Sequence, residues 1–117
     1  MHKGLSNFVK IFYPKFKKED LIEILSQRIL KLKEDLPIVR VFLFGSYAKG
    51  NYKVGSDIDI LIIYKGKPIK DAYKLTKLKL CIPRLEPHIY SEEEFKNMEY
   101  KINKMLEGGI LLYSNES

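Results

Sequence analysis

The residues best suited to chemistry lie in one short segment near the middle of the chain. It contains the pair Gly45-Ser46 and, after ten intervening residues, the triplet Asp57-Ile58-Asp59. Glycine lets the backbone approach a ligand closely and exposes its N–H groups to an anion, and a serine hydroxyl can donate to a phosphate oxygen. The first motif therefore predicts a phosphate-binding turn.

The acidic motif predicts a site for a divalent cation. Side chains alternate along a strand, so Asp57 and Asp59 share a face, with Cα atoms about 6.5–7 Å apart. Two carboxylates at that separation repel each other unless a cation lies between them. Hard oxygen ligands favour Mg²⁺ or Mn²⁺ over zinc. Together the two motifs would hold a triphosphate with its metal, as phosphoryl or nucleotidyl transfer requires.

Each motif alone is common in surface loops, and a solvated loop is the alternative for the acidic pair. The order of the motifs and the apolar residues that follow Asp59 favour a functional site. Lys49 and Ser56 are further candidates for phosphate contact; the alternatives are a solvated lysine and a hydroxyl that bonds locally to the backbone. For Tyr47, stacking on a base and filling a gap both remain open.

Apolar periodicity predicts the elements that position these motifs. Helical spacing from about Glu19 to Asp35 predicts a helix, which we expect Pro37 to close. The β-branched run from Ile38 to Phe44 predicts a buried strand. Gly45 to Gly55 has the composition of a loop with one helical turn, and Asp57 to Tyr64 predicts a second strand.

The region after the second strand is less regular. Pro68 to Cys81 fits a helix, although Leu78, Leu80 and Ile82 also alternate like a strand. We favour the helix, because a connection of this length between neighbouring parallel strands is usually helical. Arg84 to Tyr90 predicts a third strand, which its central proline confines to a sheet edge or a bulge.

A helix and a short strand are predicted to complete the chain. Ser91 and Glu94 have the spacing of a capping box, which opens a helix that ends near Gly108 and Gly109. Ile110 to Tyr113 predicts a fourth strand. The fold class is therefore α/β (α+β), with a sheet of about four strands and helices packed against it.

Composition limits the function classes. The 117 residues suit one domain, residues 1–117, with residues 1–17 as an N-terminal arm. The net charge of +6 favours anionic partners. Neither a signal peptide nor an apolar run of about 20 residues is visible, so we expect a cytoplasmic protein. Cys81 lies in an apolar run, which favours a buried structural thiol over a catalytic one.

At Gly45-Ser46 and Asp57-x-Asp59 the chain resembles the nucleotidyltransferase superfamily that shares the DNA polymerase beta palm. Its short length is most similar to the minimal nucleotidyltransferases, the MNT group. The resemblance covers Ile38 to Tyr113 and implies a palm-like mixed sheet with Mg²⁺ or Mn²⁺ as cofactor. It also implies transfer of a nucleoside monophosphate, usually AMP from ATP, onto an acceptor hydroxyl with release of pyrophosphate.

The resemblance implies a third carboxylate on a later strand, as metal ligand or general base. Glu86 is the candidate, and His88, which shares its face of the predicted strand, is the alternative as a neutral base or an acceptor contact. Pro87 interrupts this strand, so the match to the superfamily is loose there.

The MNT resemblance implies a protein partner, a helical HEPN toxin with AMP placed on one of its tyrosines. The chain would then act as an antitoxin, docking through the lysine-rich stretch Lys65 to Lys79 or the helix Ser91 to Leu106; a homodimer is the other way to supply an acceptor surface.

The competing class is an inactive module that neutralises its partner by contact alone. A nucleic-acid-binding domain is less favoured, because aromatic and basic residues interleave only loosely. A Walker-type ATPase is excluded, since no Gly-Lys-Ser/Thr follows a glycine loop.

Overall fold

The computed structural model describes residues 17–116, in which helices and strands alternate along the chain. The elements are α1 (Lys18–Leu32), β1 (Ile38–Phe44), α2 (Gly45–Lys49), β2 (Ile58–Tyr64), α3 (Ala72–Leu80), β3 (Leu85–Ser91), α4 (Glu92–Met105) and β4 (Ile110–Ser114). The order predicted from periodicity is confirmed. The arm predicted for residues 1–17 lies outside the described residues except for Lys17, and the single domain stays a prediction.

The four strands form one mixed sheet in the order β3-β2-β1-β4. β1 pairs antiparallel with both β2 and β4, whereas β2 and β3 are parallel. The parallel pair needs a crossover, and α3 provides it, as predicted. Because β3 is an edge strand, Pro87 is tolerated there. The predicted α/β fold with a mixed four-stranded sheet is confirmed.

Helices cover both faces of the sheet, so a separate apolar core lies on each side. α1 and α3 cover one face, where Leu25 and Ile29 pack with Val41 and Ile60. α4 covers the other face, where Ile102 packs with a second set of strand residues, Phe44, Leu61 and Ile63. Burial from both sides explains why the end of β2 is continuously apolar rather than alternating.

The predicted capping box opens α4. The Ser91 hydroxyl accepts from the Glu94 N–H at 3.0 Å, and the Glu94 carboxylate accepts from the Ser91 N–H at 2.9 Å. The pair satisfies two amides that the helix itself leaves without partners. α4 then ends at Met105, shortly before the predicted glycine stop.

The predicted end of the first helix is wrong by three residues. α1 ends at Leu32 rather than Asp35, because the chain turns there to bury Leu36 (1% exposed) before β1 begins. The Leu36 N–H donates to the Leu32 carbonyl at 3.0 Å and closes this turn. Pro37 therefore follows the turn and does not close the helix.

Four strand boundaries also shift by one residue, and two of these are the ends of β3 and β4, which lie at Ser91 and Ser114 instead of Tyr90 and Tyr113. β2 begins at Ile58, so Asp57 lies just before the strand rather than within it. β3 begins at Leu85, because Arg84 has a left-handed backbone (φ 63°) that cannot continue a strand.

The prediction of a buried Cys81 is wrong. The residue caps the end of α3 with φ 45°, and its side chain is exposed. Its neighbours Leu80 and Ile82, both buried, take the inward positions at this turn. Composition of the run alone could not show which of three successive residues would face outward.

Across residues 17–116, none of the helices combines the length and the hydropathy required of a membrane span.

Candidate active site

The register between β1 and β2 brings the two motifs together. Phe44 lies opposite Asp59, so Gly45, which follows Phe44, is next to the same carboxylate. Gly45 has φ +74°, and a Cβ built on it would lie 2.5 Å from Asp59 Oδ2. Glycine thus serves twice here, because it accepts the positive φ and leaves room for the carboxylate. The predicted phosphate-binding turn and the Asp59 carboxylate therefore lie side by side.

Asp59 is a half-buried carboxylate in a negative environment. Partial burial is the main cause that raises the pKa of Asp59 above its ordinary value, and the charges of Asp57 and Glu86 raise it further. His88 opposes this shift; its Nε2 lies 3.6 Å from Asp59 Oδ1, beyond hydrogen-bonding distance but close enough for attraction when the imidazole is charged. A cation bound among these acids would remove the penalty for ionising Asp59.

Asp57 lies at the open side of the site. It is exposed and, among the described residues, its side chain forms no hydrogen bond or ion pair. Asp57 lies two residues before Asp59, and its charge contributes to the raised pKa of Asp59. The carboxylate of Asp57 is therefore free to take a ligand.

β3 places Glu86 and His88, the two candidates for third metal ligand or general base, near Asp59. Glu86 is the register partner of Asp59 in the parallel pair and is exposed. His88 follows two residues later on the same face, and the edge of its ring meets Phe44 with ring centroids 5.1 Å apart. The structure thus gathers Glu86 and His88 beside Asp59.

The other predicted phosphate contacts differ in their surroundings. In the part of the chain that the structure describes, the Ser46 hydroxyl makes no hydrogen bond, while its carbonyl accepts from the Gly50 N–H at 2.9 Å. The stem of Lys49 lies against Gly108, 3.6 Å from where a Cβ would be. The Ser56 hydroxyl accepts from the Lys53 N–H at 2.8 Å and so shapes the turn, which was the alternative for this residue.

The carboxylates of the site fit a metal ion that is bound through oxygen and takes its remaining ligands from the substrate and water. Within residues 17–116, no three His, Cys, Asp or Glu side chains are gathered as ready-made metal ligands. Mg²⁺ in phosphoryl-transfer sites is commonly held by one or two carboxylates, with waters and substrate phosphates as the other ligands. Asp57 and Asp59 match that pattern, whereas a closed zinc site would need four protein ligands.

Sequence reasoning missed one contributor to the site and left another open. Phe44 is 8% exposed and contacts His88, a role that its place at the end of an apolar run did not reveal. Tyr47 is 4% exposed and stacks on Tyr52 with ring centroids 4.1 Å apart, so it fills a gap in the fold.

Comparison with known proteins agrees with this geometry. A family model described as the nucleotidyltransferase domain matches residues 18–112. The chain belongs to this family. Two curated proteins of Methanocaldococcus jannaschii, both named "Putative protein adenylyltransferase", are 42% identical over 66 residues and 39% identical over 49 residues. These matches cover 50% and 42% of this chain and 63% and 57% of the relatives, so the chain spans somewhat over half of their length.

Solved structures share the fold at low sequence identity. A Sulfolobus solfataricus protein named "putative nucleotidyltransferase" superposes with a TM-score of 0.60 at 19% identity, covering 86% of each chain. A toxin-antitoxin structure with AMP-PNP gives 0.58 at 22% identity, covering 78% of this chain and 74% of the other. A complex of a tri-AMPylated Shewanella oneidensis HEPN toxin with an MNT antitoxin gives 0.53 at 17% identity, covering 81% and 74%. The sheet and its helices therefore share the fold of these solved structures.

Proposed function

We propose that this nucleotidyltransferase domain transfers AMP from ATP onto a hydroxyl of a partner protein, with Mg²⁺ or Mn²⁺ as cofactor. One observation carries the proposal: the Asp59 carboxylate lies directly against Gly45, on the strand next to the Gly45-Ser46 turn. A phosphate bound at that turn would meet a metal held by the acids.

Each residue has a distinct role in the proposed reaction. The Gly45-Ser46 turn binds phosphate oxygens, with Lys49 and Ser56 as outer contacts. Asp57 and Asp59 hold the metal, which when bound neutralises charge on the triphosphate. The acceptor oxygen forms a bond to the α-phosphorus as the bond to pyrophosphate breaks. Glu86 either takes the hydroxyl proton as general base or would complete the metal site as a third carboxylate ligand, and His88 is the alternative base.

The donor, acceptor and partner are proposed with the support of the similar proteins. Curated relatives carry the name protein adenylyltransferase, and solved structures with the same fold include a toxin-antitoxin with AMP-PNP and a tri-AMPylated HEPN toxin bound to an MNT antitoxin. We therefore propose ATP as donor, a tyrosine of a HEPN-type toxin as acceptor, and a cytoplasmic antitoxin role. The alternative acceptor surface is a second copy of the chain.

Both surfaces considered for docking are accessible, and they differ in charge. In the lysine-rich stretch, Lys77 donates to the Leu85 carbonyl at 2.8 Å and Lys79 pairs with Asp35 at 2.9 Å, so part of its charge is already engaged. α4 presents Tyr100, 77% exposed, on its outer face. The lysine-rich stretch also exposes Ile69, Tyr73 and Leu78, by 41%, 49% and 68%, so both faces remain proposed docking faces.

The test is incubation with Mg²⁺ and ATP labelled at the α-phosphate, with and without a candidate HEPN-type partner protein. We expect the wild type to label the partner protein. In Asp57→Asn and Asp59→Asn, labelling should fall to background. Asp71→Asn is the matched control, because Asp71 is also exposed and makes no capping bond. Label that persists in both site variants would contradict the proposal.

One observation favours a second candidate, a module that neutralises its partner by contact alone. The match to the superfamily is loose at the third carboxylate, where Pro87 directly follows Glu86 on β3. Under this alternative the partner is bound and inhibited equally well by wild type and Asp57→Asn, and no label moves.

A further inference from the structure

Lys18, at the start of α1, donates two hydrogen bonds, one to the end of α2 and one to the segment that follows α2. Lys18 Nζ donates to the Ala48 carbonyl at 2.9 Å, and the Lys18 backbone N–H donates to the Tyr52 hydroxyl at 3.2 Å. The first amides and the last carbonyls of a helix have no partner within that helix. The first amide of α1 therefore gains an acceptor, and the Ala48 carbonyl near the end of α2 gains a donor.

The position of Lys18 is unfavourable for α1 itself. It is the first residue of the helix, and a cation near a helix N-terminus opposes the helix dipole. The preceding Lys17 provides no side-chain cap. At the end of α2 the same ammonium group is favourable, since cations stabilise the last carbonyls of a helix. The benefit of Lys18 thus lies 30 residues away, at the loop that carries the site.

Tyr52 is itself fixed by packing. Its ring stacks on Tyr47 with an interplanar angle of 8°, and Tyr47 is buried in the core beneath α1. The stack holds the segment after α2 against the body of the protein. Since α2 has only five residues, it cannot keep its conformation without such contacts.

The orientation of Ser46 depends on α2. The Ser46 carbonyl accepts from the N–H groups of Gly50 at 2.9 Å and Asn51 at 3.2 Å, so the ends of this short helix are linked. We propose that Lys18 and Tyr52 are positioning residues that hold α2 so that the Gly45-Ser46 turn faces Asp59 and the incoming triphosphate. The role of the triphosphate rests on the proposed function. The contacts of Lys18 and Tyr52 with α2, which we call the clamp, do not depend on it.

Arg28 provides a matched control on the same helix. Arg28 Nη1 donates to the Leu80 carbonyl at 2.7 Å and the Cys81 carbonyl at 2.8 Å, at the end of α3. Lys18→Met and Arg28→Met therefore each remove a cation that joins α1 to the end of another helix. Lys18→Arg restores the donor, and Tyr52→Phe removes the hydroxyl while keeping the stacked ring.

The experiment measures amide hydrogen exchange at Gly50 and Asn51, the affinity for MgATP by calorimetry, and the melting temperature. In Lys18→Met we expect faster exchange of both amides and affinity for MgATP lower by about tenfold. Lys18→Arg should recover most of both, and Tyr52→Phe should show a smaller change in the same direction. Arg28→Met should lower the melting temperature without changing either the exchange or the affinity.

The outcomes separate the clamp from the proposed function. Exchange at Gly50 and Asn51 that is no faster in Lys18→Met than in Arg28→Met would overturn the clamp. Equal loss of MgATP affinity in the two variants would overturn its role in positioning the turn. A wild type that binds no MgATP would contradict the proposed function instead, and the exchange rates would then decide the clamp alone.

Discussion

Asp59 carries a negative charge into a half-buried position where its neighbours are mostly acidic. Burial and the charges of Asp57 and Glu86 raise the pKa of Asp59, and only His88 opposes them. Such an arrangement costs stability in the absence of a cation and is typical of sites that bind one.

Replacing Asp59 by Asn should therefore stabilise the metal-free protein at neutral pH. Because the pKa of Asp59 is raised in the folded state, its contribution to stability is present at low pH and is lost as the pH rises through that pKa. The melting temperature of Asp59→Asn should exceed that of wild type at pH 7, and the difference should shrink below about pH 4, the ordinary range of Asp. Mg²⁺ should raise the melting temperature of wild type only. A less stable Asp59→Asn at pH 7 would contradict the electrostatic account.

Gly45 and Gly50 separate the effect of backbone conformation from that of the close approach to Asp59. Both have positive φ, +74° and +83°, but a Cβ at Gly50 would meet nothing within 4 Å. We expect Gly45→Ala and Gly50→Ala each to lose about 1–2 kcal/mol of unfolding free energy, measured by urea denaturation. Only Gly45→Ala should lose AMP transfer, since the new methyl group displaces the carboxylate. Equal activity in both variants would argue against this contact.

At the scale of single elements, α4 shows how local chemistry fixes a helix start. Ser91 is fully buried and its hydroxyl caps the helix. Ser91→Ala should lower the free energy of unfolding by about 0.5–2 kcal/mol. Glu94→Gln keeps a side-chain acceptor for the Ser91 N–H and should lose much less. Urea denaturation of both variants tests this, and similar losses would contradict a reciprocal cap.

The elements that local chemistry determines were predictable, and those that distant contacts determine were not. β1 follows from its β-branched run, and the start of α4 from the spacing of Ser91 and Glu94. The end of α1 was predicted too late, because burial of Leu36 ends the helix, and that burial depends on the sheet beneath it. The exposure of Cys81 likewise depends on a turn whose carbonyl is bound by Arg28, 53 residues away.

The same division applies to the candidate site. The types and spacing of Gly45, Ser46, Asp57 and Asp59 predicted that they act together, and the register of β1 and β2 brings Gly45 to Asp59. The interaction of Lys18 with α2 has no sequence signal, because it joins residues 30 positions apart through a backbone carbonyl.

At the scale of the whole molecule, one sheet joins two cores. Leu25 lies in the core beneath α1 and Ile102 in the core beneath α4, and both are fully buried. Leu25→Ala and Ile102→Ala should each lose about 2–5 kcal/mol in a single cooperative transition. Leu30→Ala is the control, since Leu30 is 50% exposed and should lose about 0.5 kcal/mol or less. A separate early transition in Ile102→Ala, seen by comparing fluorescence with circular dichroism, would show that α4 unfolds independently.

The strand register that brings Gly45 to Asp59 is the basis of the whole functional account, because it places phosphate-binding and metal-binding groups at the same end of the two inner strands. The most direct test is a crystal structure with Mn²⁺ and an ATP analogue that cannot be cleaved between the α- and β-phosphates. We expect an anomalous Mn²⁺ peak coordinated by Asp57 and Asp59, with phosphate oxygens bound at Gly45 and Ser46. Mn²⁺ bound away from these acids, or a triphosphate bound away from that turn, would contradict the account.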